Sequence, residues 1–188
     1  VHSILGVAAA SALAFVGTMI DNFFAFSAQL LVTREDRRRR VSIAQALGVA
    51  ALIGLAYLMG SILEPVPSRW IGLLAVAPWA LGLHAWRHRH DPVEDHFKRG
   101  ALTTFVVTIA LGGDNLAVWI PLVRSQIGSH ALVTLATFAV CELLFVTLAR
   151  AITGHATVVA WGERHARGII PWVYVALGFL ILIECGTI

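Results

Sequence analysis

Lysine is nearly missing from this chain: Lys98 stands alone against thirteen arginines. Charge of either sign is scarce. Charged residues make up 13% and apolar residues 58%, where soluble globular chains carry about 25% charged. That balance argues against an ordinary soluble domain. The basic residues lie between apolar runs rather than along one polar face, which argues against nucleic acid as a partner. Cysteine is scarce too. Cys141 falls mid-way along one apolar run and Cys185 at the end of another, so a disulfide is not expected. No Gly-x-x-x-x-Gly-Lys-Ser/Thr loop occurs, and no polar segment is large enough to bind a nucleotide. No His-Glu-x-x-His occurs, and no histidine precedes His84 within an apolar run. An ATP-driven pump and an intramembrane hydrolase are therefore disfavoured, and no tightly bound cofactor is expected.

What the chain does have is long hydrophobic runs. A spanning helix needs ~20 largely apolar residues. Six stretches approach or exceed that: about Ser3–Val32, Val41–Leu63, Arg69–Trp86, Gly100–Val123, His130–Ile152 and Gly168–Cys185. The first has no basic leader and is too long for a signal peptide, so it reads as a span. The expectation is an all-α integral membrane protein of six transmembrane helices in a single domain, residues 1–188, with the lipid bilayer as its surroundings. Alternating spans put twelve basic residues on one side (Arg34, Arg37–Arg40, Arg87, Arg89, Lys98, Arg99, Arg150, Arg164 and Arg167) and only Arg69 and Arg124 on the other. The positive side is cytoplasmic. The expected location is the inner, cytoplasmic cell membrane with both termini outside.

The chain also repeats itself. Asp21-Asn22 in "TMIDNFFAF" aligns with Asp114-Asn115 in "LGGDNLAVW" at an offset of 93, half the chain, and Pro78-Trp79 aligns with Pro171-Trp172 at the same offset. A rival match, Leu81-Gly82 with Leu177-Gly178, needs an offset of 96. The pattern is two halves, about 1–93 and 94–188. Three spans per half would invert the second half, an architecture of secondary transporters with sites near mid-membrane.

Asp21 and Asp114 lie deep in the first and fourth spans. A carboxylate there costs about 2.5–3.5 kcal/mol on insertion scales, and no arginine or lysine lies inside any span to pair with it. A proton or a bound cation remains. Gly112 and Gly113 weaken the fourth helix just before Asp114 and Asn115, residues suited to restarting one. Pro121 cannot donate to the carbonyl of Ala117, which loosens the backbone on the other side. Loosened carbonyls beside carboxylate and amide oxygens would make a hard-oxygen cation site; the plain alternative is a packing kink. Glu142 is a further candidate ligand. Cys141 is a soft candidate for zinc or cadmium, although neighbours on a helix diverge by about 100°. Gln45, Ser27 and Gln29 are candidates to line a path. His88, His90 and His96, among acidic residues of the central loop, could capture metal; the plain alternative is a solvated loop. Ala8–Ala10 and Ala12 allow close helix contact, within the chain or in a homodimer.

At these residues the sequence resembles the cadmium resistance transporter family, a branch of the lysine exporter superfamily. The resemblance rests on "VTIALGGDNLAVWIPLV" in the fourth span, "SIAQALG" in the second, "RWIGLLAVAPWALGL" in the third and "IIPWVYVALGFLILIECGT" in the last. It implies two inverted three-helix halves and export of a divalent cation, cadmium or zinc. Asp21 and Asp114, with Asn22 and Asn115 beside them, would form the substrate site. Cys141-Glu142 and the histidines lie outside the resemblance. An amino-acid exporter or a cation channel are the alternatives; the first would bring a substrate carboxylate against two aspartates.

Overall fold

The computed structural model describes residues 3–87, 100–110, 112–126 and 130–185, and the described residues form helices and short connections with no strand. The helices are α1 (Ile4–Val32), α2 (Glu35–Ile62), α3 (Ser68–Ile71), α4 (Val76–Arg87), α5 (Ala101–Ala110), α6 (Gly113–Gln126), α7 (Ala131–Ile152) and α8 (Ala156–Glu184), with a 3-10 turn over Gly72–Ala75 between α3 and α4.

Local chemistry sets the boundaries. Ser3 caps α1, its hydroxyl accepting from the Gly6 amide at 3.1 Å. Thr33 closes α1 by returning its hydroxyl to the Gln29 carbonyl. Glu35 and Asp36 then open α2, where negative charge suits the positive end of the helix dipole. The third apolar stretch, expected as one span, comes in pieces. Pro78 cannot donate to the Leu74 carbonyl, and the backbone tightens into the 3-10 turn around that carbonyl. The last helix begins at Ala156, well before the apolar segment expected from Gly168.

Among the described residues, two helices, Glu35–Ile62 and Ala131–Ile152, are long and apolar enough to cross a membrane alone. The number rises to four if each of two bent pairs is one span. In the first pair, Ile4–Ile20 meets Asn22–Val32 at 53°; in the second, Ala101–Ile109 meets Gly113–Gln126 at 57°. Both bends fall at an Asp-Asn pair. The bend at Gly112-Gly113 was foreseeable from the glycines. In α1, the Thr18 hydroxyl turns back onto the carbonyls of Ala14 and Phe15 at 3.0 and 3.3 Å, a contact that loosens the helix one turn before its bend.

The outside is unlike that of a soluble protein. Ser11, Thr18, Gln29, Gln45, Thr104, Asn115, Gln126, Thr134 and Glu142 are buried among the apolar core, while Leu5, Leu132 and Leu143 are 79%, 79% and 68% exposed. An apolar exterior with its polar side chains turned inward is what a lipid surrounding demands. α1 packs against α7 and α8 and crosses α6; α2 packs against α5 and α6; α4 lies along α8. Phe15, Trp119 and Phe138 form one aromatic cluster, and Phe23, Phe26 and Phe145 form another.

Candidate cation site at the two helix bends

Between those aromatic clusters the interior turns polar. α1 and the bent α5–α6 pair run antiparallel, joined by polar contacts along their length. Ser11 donates to Gln126 Oε1 at 3.3 Å, Trp119 Nε1 to Thr18 Oγ1 at 3.1 Å, and Gln29 Nε2 to Thr104 Oγ1 at 2.8 Å. At the centre stands Met19, 2% exposed. Asn22 Nδ2 donates to its sulfur at 3.7 Å and Asn115 Nδ2 at 3.5 Å. The asparagines of the two Asp-Asn pairs, far apart in sequence, thus meet on one thioether.

Asp114 lies in the first turn of α6. Its Oδ1 accepts from the Asn115 backbone N–H at 2.8 Å and its Oδ2 from the Tyr174 hydroxyl at 2.6 Å. A neutral hydrogen-bond donor is therefore a third way to satisfy this carboxylate, beyond the proton and the cation expected from sequence. Tyr174 went unnoticed in the sequence. The available signal was a tyrosine within an otherwise apolar run, because a buried phenol needs a partner. Met19 was missed for a different reason: nothing local separates a methionine that gathers polar side chains from a core one. The Asp21 side chain lies outside the described residues, as do His88, His90 and His96. Among the described residues, no three His, Cys, Asp or Glu side chains gather as a metal cluster.

The two glycines have different surroundings. A Cβ at Gly112 would lie 2.3 Å from Leu52 Cδ1, whereas a Cβ at Gly113 would meet nothing within 4 Å. Gly112 thus admits α2 to the bend, and Gly113 keeps space beside it. Gln45 is engaged across the α2–α5 seam, accepting from Thr108 Oγ1 at 2.6 Å. Gln29 keeps Oε1 without a partner, and Ser27 donates to the Phe23 carbonyl.

Glu142 is 7% exposed, and neither carboxylate oxygen has a hydrogen-bond partner. Its depth follows from the α1–α7 register. Ser11 reaches Thr134, and one turn on Phe15 meets Phe138 with their rings tilted. The next turn on each helix carries Met19 and Glu142. Asn115 Oδ1 is likewise buried without a partner. Cys141, one position along, lines an apolar cavity of about 360 Å³ together with Met19, Val16, Phe24 and Leu144. Glu142 is buried and Cys141 half-buried, as the angular separation of adjacent helix positions allows.

Residues 15–188 match the family described as Cad, cadmium resistance transporter. No curated protein and no solved structure matches the chain.

Proposed function

The chain belongs to the cadmium resistance transporter family, a family of transporters rather than enzymes, and on that premise we propose that it exports a divalent heavy-metal cation, cadmium or zinc, from the cytoplasm. The proposed frame is six spans in two inverted three-helix halves, set in the cell membrane with both termini outside. Each half opens on a helix bent at its Asp-Asn pair. The packing also exchanges as an inverted repeat would: α1, the first span, lies against α7, the fifth, and α5–α6, the fourth, lies against α2, the second.

The observation that carries the reading is the meeting of Asn22 and Asn115 at Met19. It supports a site at the interface of the halves, where inverted-repeat transporters bind their cargo. Asp21 and Asp114 would supply the charge, Asn22, Asn115 and Glu142 further oxygens. Rocking one half against the other would open the site to each side in turn. On the return stroke the same carboxylates would carry protons, giving metal–proton exchange.

Everted membrane vesicles test this directly. The wild type should accumulate cadmium or zinc in preference to calcium, and Asp114→Asn should abolish it. Absence of uptake of any metal by folded wild-type protein would overturn the export reading. Uptake that persists after the proton gradient is collapsed would remove the exchange step alone.

A further inference from the structure

A site built only of carboxylate and amide oxygens suits hard cations such as calcium, magnesium and manganese. Selection of a soft ion needs a softer donor. At the junction of the two bends that donor is present. Met19 Sδ is buried, and it receives the amide nitrogens of both Asp-Asn pairs.

The contact is a poor bargain as mere packing. A thioether is a weak hydrogen-bond acceptor, and turning the Asn115 amide toward it leaves Asn115 Oδ1 buried without a partner. Glu142, at the same depth on α7, holds two further oxygens without partners. An orphaned buried polar atom is costly, so three at one level call for an occupant. A cation seated there would satisfy the oxygens. The asparagine amides would release a sulfur whose lone pairs then face the ion.

We infer that Met19 is the residue that makes this site prefer soft cations, its thioether sulfur ligating cadmium between the two Asp-Asn pairs. This rests on the export reading and deepens it. Cys141 shares the apolar cavity with Met19, so the test must separate the two sulfurs.

The chain contains two methionines, Met19 and Met59. Selenomethionine-labelled Met59→Leu protein carries selenium at position 19, and the same protein with Met19→Leu added supplies the background from any methionine outside these residues. After loading with cadmium chloride, selenium-edge X-ray absorption should show cadmium as a direct neighbour. A selenium shell of carbon only, in protein that has bound cadmium, would overturn the proposal without touching export. In transport, Met19→Leu keeps the volume and removes the sulfur. Its preference for cadmium over manganese should fall about tenfold or more, the scale on which changes at a metal's surroundings alter affinity. Cys141→Ser should leave that preference intact. An unchanged preference in folded Met19→Leu, or its loss in Cys141→Ser, would move the soft donor away from Met19. Failure of the wild type to bind or carry any metal would instead sink the export reading, and the soft-ligand role with it.

Discussion

Tyr174 donates its hydroxyl to Asp114 Oδ2 at 2.6 Å, tying the middle of the last helix to the first turn of α6. With Oδ1 already held by the Asn115 backbone N–H, the carboxylate has one orientation, and each oxygen keeps a lone pair for a cation. Preorganisation of this kind raises affinity by removing the cost of ordering at the moment of binding. Tyr174→Phe should fold normally and weaken the apparent metal affinity about tenfold, equivalent to ~1.4 kcal/mol for one lost hydrogen bond. Metal-dependent uptake curves for the two proteins check this; identical half-saturation would show that the phenol only packs.

Glu142 sets stability against function. A buried carboxylate without hydrogen-bond partners is costly to the fold. Replacement by an apolar residue of similar size should therefore raise the unfolding temperature while abolishing transport. Glu142→Leu, followed by thermal unfolding in detergent and by vesicle uptake, reads both quantities. A stabilised protein with undiminished uptake would assign Glu142 no part in the site.

The paired glycines predict a contrast. Gly112→Ala drives a methyl group into Leu52 and should destabilise by about 1–3 kcal/mol, the usual cost of overpacking. Gly113→Ala meets open space and should be tolerated structurally. Leu52→Ala placed on Gly112→Ala should recover part of the loss. Equal unfolding temperatures for the two single variants would contradict the close approach of α2 to the bend.

Arg124 should behave as a structural clamp. Its Nε donates to the Leu63 carbonyl and its Nη2 to those of Glu64 and Val66, holding the chain as it leaves α2. Arg124→Lys keeps the charge and loses the fork. The expected result is a lower unfolding temperature with metal preference unchanged, measured by unfolding and by competition between cadmium and manganese.

Much of this architecture follows from composition and short-range pattern alone. Long apolar runs with almost no internal charge require helices whose backbone bonds close within each segment, because lipid offers no alternative partner. The Gly112-Gly113 bend was legible for the same local reason: adjacent glycines before Asp-Asn weaken one helix and start another. The repeat of Asp-Asn at half-chain spacing marked the two places where the helices depart from straightness. The third stretch was legible in its extent but not in its course: it forms α3, the 3-10 turn and α4 in succession, where Pro78 withholds a donor from the carbonyl one turn earlier. Tertiary structure decided the rest. That Asn22 and Asn115 meet at Met19, that Tyr174 reaches Asp114, and that Leu52 fills the space beside Gly112 all depend on which helix crosses which, and in what register. Such contacts are made between side chains tens of residues apart. Their geometry comes from packing several helices at once, and no local stretch of sequence carries it.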